Sequence, residues 1–197
     1  MRRRRIPRPI GSGQMGKRFF KMRFQQAVNL TVAAAGTAVY NGTFDNNPSQ
    51  AIDFASMANL FDEYKVCAMK ITFVPSITAN ANILANYVPM YVMHDPNSTT
   101  APVTAINNFL SYENCKYFNV QRPWKYYRKM QQNIPTNSSW TTQRNINTRG
   151  YLQTDSPIPT QAIFVILNAQ NWQPTTPSSQ QIGTMVTTWY IVARSRL

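Results

Sequence analysis

Hydrophobic and polar residues begin to alternate at Phe20. Phe20, Met22, Phe24, Val28, Leu30 and Val32 share one parity, while Lys21, Arg23, Gln25, Asn29 and Thr31 share the other. This period-two pattern predicts a strand with one dry and one wet face, and it turns Lys21 and Arg23 away from the core. Residues 64–74, 84–93, 116–121, 126–130, 151–154, 161–168 and 183–194 also have strand chemistry, being rich in aromatic and β-branched side chains. Within them Cys67, Met69, Ile71 and Phe73 share a face, as do Met185, Trp189, Ile191 and Ala193. Pro89 cannot donate to a ladder, so an edge position or a bulge is expected there. Short helices are predicted over 51–61 and 104–112, each preceded by a proline or a capping residue. The stretches 41–50, 95–102, 133–149 and 171–180 are rich in Pro, Asn, Ser and Thr and read as loops.

Eight main strands joined by long polar loops predict an all-β fold, a single jelly-roll β-sandwich of two sheets sharing one core. A chain of 197 residues suits one such domain, and an apolar fraction of 43% can fill its core. The sandwich is assigned to residues 18–197. Residues 1–17, with arginines followed by Ile-Pro-Arg-Pro-Ile and Gly-Ser-Gly, read instead as a disordered basic N-terminal arm.

Charge sharpens this division. The formal net charge is +13, and residues 1–23 hold Arg2, Arg3, Arg4, Arg5, Arg8, Lys17, Arg18, Lys21 and Arg23 with no acid. The rest of the chain has 11 basic against 7 acidic side chains, a net of +4. So concentrated a cationic block favours a polyanion, because each Lys or Arg that neutralises a phosphate releases a condensed counterion. The nine cations are therefore assigned to nucleic-acid binding, with guanidinium forks contacting phosphates and reading no sequence. Arg2, Arg3, Arg4 and Arg5 also have the composition of a nuclear-import signal. An arginine-rich start can equally serve as a mitochondrial presequence, but Pro7, Pro9, Gly11, Gly13 and Gly16 would break the helix such a segment needs. Apolar runs fall short of the roughly 18 residues of a membrane span, so no membrane insertion is expected. Cys67 and Cys115 are too few for a disulfide framework and fit a reducing compartment.

A second cluster interleaves Lys116, Arg122, Lys125, Arg128 and Lys129 with Tyr117, Phe118, Trp124, Tyr126 and Tyr127. Charge combined with base stacking is how single strands are often gripped, which makes Lys125, Tyr126, Arg128 and Lys129 secondary nucleic-acid contacts. Ordinary sandwich strands alternate in the same way, with rings inside and cations in water. His94, beside Asp95 in an expected loop, is the one histidine, and with two distant cysteines it makes a poor metal site. Neither a Gly-x-Ser-x-Gly elbow nor a P-loop occurs. No enzymatic activity, catalytic residue, metal or cofactor is expected. Trp140 and Trp172, in loops, are candidate interface anchors.

Residues 61–75 read Phe-Asp-Glu-Tyr-Lys-Val-Cys-Ala-Met-Lys-Ile-Thr-Phe-Val-Pro. This stretch resembles the capsid proteins of circoviruses and related circular single-stranded DNA viruses, in which an aromatic-acidic-Tyr-basic lead enters a strand ending Lys-Val-x-Phe-x-Pro. Tyr64, Lys65, Lys70, Phe73 and Pro75 carry the match, with weaker echoes over 112–123 and 185–194. The resemblance covers about a third of the chain. It implies a single jelly roll, self-association of sixty copies into a minimal (T=1) icosahedral shell, an inward arm, and nuclear entry through host import receptors. The arm here is shorter than the usual circovirus arm, and no basic cluster for glycan attachment stands out, so the cell-surface receptor is open. The expectation is a capsid protein, found in the virion and in the host nucleus during assembly, that packages circular single-stranded DNA. If sixty arms brought nine cations each, they would neutralise about 540 phosphates. Two other readings fit the same residues: the capsid protein of a small RNA or satellite virus, and a non-viral basic RNA-binding protein.

Overall fold

A computed structural model of the chain describes residues 20–32, 38–76, 89–96, 106–130, 151–154, 157, 159–169 and 180–194. The arm and the two loop tryptophans, Trp140 and Trp172, lie outside them. The elements in order are β1 Phe20–Val32, β2 Ala38–Asp45, a 3-10 turn Pro48–Gln50, α1 Phe54–Ala58, β3 Glu63–Pro75, β4 Pro89–Asp95, α2 Ile106–Leu110, β5 Lys116–Asn119, β6 Trp124–Lys129, β7 Leu152–Gln153, β8 Ala162–Ala169 and β9 Gln180–Arg194. Two antiparallel sheets form. The first has the order β1-β9-β3-β6, with the two-residue β7 joining β3, and the second has the order β2-β8-β4-β5. The first strand pairs with the last, Phe20 opposite Ala193, and the second with the last but one, Ala38 opposite Ala169. This is the jelly roll that the strand pattern predicts.

The two sheets differ in how many faces they bury, and the sequence shows why. In β3 the buried Tyr64, Val66, Met69, Ile71 and Phe73 meet Met90, Val92, Ile163, Val165 and Leu167 of the second sheet across the central core. The residues between them in β3 stay mostly at the surface, which is the alternation of a strand wet on one side. By contrast, β8 runs Ala-Ile-Phe-Val-Ile-Leu from Ala162 to Leu167, every residue at 0% exposure. Such an unbroken run requires a strand covered on both faces. The second cover is a smaller cluster in which Phe109 of α2 joins Met93, Ala162, Phe164 and Ile166, with Tyr91, Tyr112 and Cys115 beside them. A polar tie links the two sheets: the Trp189 indole N–H of β9 donates to the Asp45 carbonyl of β2 at 3.0 Å. Within the second sheet, the Asn46 Oδ1 after β2 accepts from the Thr160 N–H ahead of β8 at 2.8 Å.

Several local expectations change. Residues 41–45, read as loop, form the second half of β2: Gly42 and Phe44 are buried between exposed Asn41 and Thr43. Asn and Gly weakened the strand signal there, and the pairing with β8 overrides it. Cys67 does not share the inward face of Met69, because the register with β9 shifts between Val66 and Ala68 and the extra residue moves Cys67 off the alternation. His94 lies in β4 rather than in a loop, 7% exposed, with Nε2 3.0 Å from the Gln161 Oε1. Pro89 is the first residue of β4, ahead of the ladder with β8, which starts at Met90. Both helices form, each five residues long and shorter than expected. Phe20 and Val28, of core parity, stay 43% and 38% exposed on an edge strand.

Two predictions follow from this packing. A Cβ at Gly183 would overlap the Phe73 ring and come within 2.7 Å of the Val74 carbonyl oxygen. Gly183→Ala is therefore expected to destabilise the subunit by about 1–3 kcal/mol through overpacking, read as a lower denaturation midpoint at unchanged slope. Burial lowers the His94 pKa from 6.5, partly opposed by its bond to Gln161. The unfolded chain then takes up this proton first, so stability falls as pH drops from 6.5 toward the lower folded value, by at most about 1.4 kcal/mol per unit. Denaturation midpoints measured from about pH 5 to pH 8 should show a flatter acid limb in His94→Gln; identical limbs would rule the assignment out.

Candidate nucleic-acid interface

The face of the first sheet turned away from the central core is built by parity. Outward positions recur at every second residue, and the cross-strand register aligns them into rows about 7 Å apart, with neighbouring strands about 4.8 Å apart. One row holds Lys21 of β1, Val192 of β9 and Lys65 of β3. The next holds Arg23, Tyr190, Ala68 and Lys129 of β6. A third holds Gln25, Thr188, Lys70 and Tyr127, and a fourth Ala27, Val186, Thr72 and Lys125. The face thus carries Lys21, Arg23, Lys65, Lys70, Lys125 and Lys129, spread over three of its four main strands.

Among the described residues the outward positions of this sheet include one acid, Glu63, and it is ion-paired with Arg194 across the β3–β9 ladder. The Arg194 guanidinium also lies 3.9 Å from the centroid of the Tyr151 ring. That acid is therefore already neutralised locally, and no other acid among the described outward positions of this sheet opposes the six other cations. The Cys67 thiol senses this field: burial pushes its pKa up, while Lys65 and Lys21 pull it down. Because β1 starts at Phe20, the arm joins the fold at the row of Lys21 and Lys65.

Of the secondary contacts expected from sequence, Lys125 and Lys129 are exposed on this face. Tyr126 and Arg128 occupy the opposite parity. Tyr126 is 3% exposed, and its hydroxyl donates to the Asn114 carbonyl at 3.1 Å. The Arg128 Nε donates to that hydroxyl at 2.9 Å, its Nη2 donates to the same Asn114 carbonyl at 3.2 Å, and the guanidinium lies over the Tyr126 ring. These two side chains tie β6 to the α2–β5 connection and do not reach the cationic face. Lys21 and Arg23 are exposed on it, whereas Arg2, Arg3, Arg4, Arg5, Arg8, Lys17 and Arg18 lie outside the described residues. Sequence reasoning left Lys65, Lys70, Tyr127 and Tyr190 out of the site. Strict alternation through 124–129 carries the signal for Tyr127, but the bulge at Cys67 hid the common face of Lys65 and Lys70.

No family model matches the chain. A curated capsid protein of Human associated cyclovirus 1 is 26% identical over 103 residues, 52% of this chain and 46% of that protein. The match thus spans about half of each. Among solved structures, the 60-mer BFDV capsid protein superposes with a TM-score of 0.62 at 14% identity, covering 91% of this chain and 95% of that one. The decameric BFDV capsid protein gives 0.57 at 14% identity, over 90% and 100%. Cocksfoot mottle virus gives 0.54 at 11% identity, over 91% and 97%. The chain has the jelly-roll fold of viral capsid proteins, and it resembles the capsid proteins of circoviruses and cycloviruses.

Proposed function

We propose that the chain is a viral capsid protein that self-associates into a closed icosahedral shell and condenses a circular single-stranded DNA genome on its inner surface. The observation that carries this reading is the asymmetry of the sandwich. Strand β8 of one sheet is buried on both faces, while the other sheet turns a cationic face away from the core, and its first strand follows the arginine-rich segment in sequence. A shell protein needs such a division, with one side for the polyanion and the rest for neighbours and solvent. Sixty copies are supported by the fold similarity to a 60-mer capsid protein. At 22.5 kDa per chain, such a shell has a protein mass of about 1.35 MDa.

In this reading Arg2, Arg3, Arg4, Arg5, Arg8, Lys17 and Arg18 extend into the genome, and Lys21 and Arg23 continue the contact onto the sheet. Arg2 to Arg5 also direct the free subunit to the nucleus through host import receptors, so the protein occupies the nucleus during assembly and the virion afterwards. No step in this function calls for bond chemistry. A second reading, a capsid protein that packages RNA, is supported by the fold similarity to Cocksfoot mottle virus and to Mud crab tombus-like virus, the latter with a TM-score of 0.55. Nuclease digestion of nucleic acid extracted from particles separates the two.

Two measurements test the proposal. Deleting residues 1–17 should leave a folded subunit whose particles are empty or fail to form, and nucleic-acid content equal to that of the intact chain would refute the arm's role. Replacing Lys65, Lys70, Lys125 and Lys129 together by Gln should make the dependence of log affinity on log salt shallower by about 3 for single strands. An unchanged slope would mean that the sheet face is not used.

A further inference from the structure

The cationic face also carries two tyrosines, and they are not placed as core residues are. Tyr127 of β6 and Tyr190 of β9 lie in adjacent rows, on either side of β3. On β3 the small Ala68 is opposite Tyr190 and Lys70 is opposite Tyr127, and the two rings approach across that strand, centroids 6.2 Å apart and inclined at 66°. Ala68 is 4% exposed even though it lies in an outward row. The Lys70 ammonium lies 6.0 Å from the centroid of the Tyr190 ring. Tyr190 is half-buried by these neighbours, but Tyr127 remains 53% exposed. Lys125 and Lys129 flank it along β6, and Lys70 is opposite it on β3.

Cross-strand aromatic pairing accounts for the edge-to-face contact with Tyr190. It does not account for a half-exposed ring whose neighbours along and across the ladder are three lysines. An aromatic ring ringed by cations at about the spacing of one strand step suits a flexible polyanion whose bases are free to turn outward. A duplex can offer this face phosphates alone, because its base faces are stacked on one another.

Resting on the packaging reading above, we infer that Tyr127 is a base-stacking platform, on which an unpaired base lies while Lys70, Lys125 and Lys129 hold the adjoining phosphates, so that the sheet face takes single strands in preference to duplex. Stacking is insensitive to salt and the phosphate contacts are not, so the two contributions separate experimentally. The arm contributes charge alone and has no such preference.

The test uses the full chain with an oligothymidylate containing 2-aminopurine and a duplex of equal length, titrated over a series of salt concentrations. Tyr127→Ala should weaken single-strand binding by about 5- to 100-fold, leave duplex binding within about 2-fold, keep the salt slope, and abolish the quenching of 2-aminopurine. Tyr127→Phe, which preserves the ring, should retain both affinity and quenching, and it guards against a folding defect in the alanine variant. Equal losses on single strand and duplex, or no loss on either, would overturn the platform while leaving the packaging reading intact. An unaltered chain that bound neither oligonucleotide would overturn both.

Discussion

A β-sheet with one face in the core must leave the other to solvent, to another layer of protein, or to a ligand. In this sandwich the two sheets resolve that constraint differently. The second sheet is capped by α2 and the small cluster around Phe109, and its central strand β8 became uniformly apolar in consequence. The first sheet has no such cap among the described residues, and its outward positions hold lysine, arginine, threonine and tyrosine. Everything proposed about function follows from this difference, because a cationic surface can be built on a strand only where alternate residues escape the core.

The cationic grid depends on register as well as on parity. Lys65 and Lys70 are five residues apart, an odd separation that would place them on opposite faces of a regular strand. The shift between Val66 and Ala68 absorbs one residue and returns both lysines to the same side. The same irregularity leaves the thiol of Cys67 near Lys21 and Lys65. A backbone feature that looks like a defect in β3 thus completes the surface charge of the sheet.

Much of the fold was legible in the sequence. The alternation from Phe20, the closing strand with Met185, Trp189 and Ile191, and the unbroken apolar run of β8 each state which faces are dry. What stayed hidden had specific physical causes. β2 was masked by Asn41 and Gly42, whose poor strand propensity is overridden by eight paired positions with β8. The position of His94 depends on a long-range bond to Gln161, which no local pattern reveals. At the candidate interface, parity through 124–129 distinguishes Tyr127 from Tyr126, but charge and aromaticity alone treat the two as equivalent. Only the register across β1, β9, β3 and β6 shows that Lys21, Arg23, Lys65, Lys70, Lys125 and Lys129 form one surface. Sequence distance conceals that, since the residues span more than a hundred positions.

The pairing of β1 with β9 also sets an order of events during synthesis. The strand that carries Lys21 and Arg23 emerges from the ribosome well ahead of its hydrogen-bonding neighbour β9, about 160 residues later. Until that neighbour has been translated, the sheet has no centre, β1 has no partner to join it to β3, and the tyrosine pair is unmade. A nascent chain therefore carries its basic N-terminal segment long before it owns the shaped cationic face of the sheet. Closure of the fold and completion of its cationic face become one event, reached only once β9 has been made.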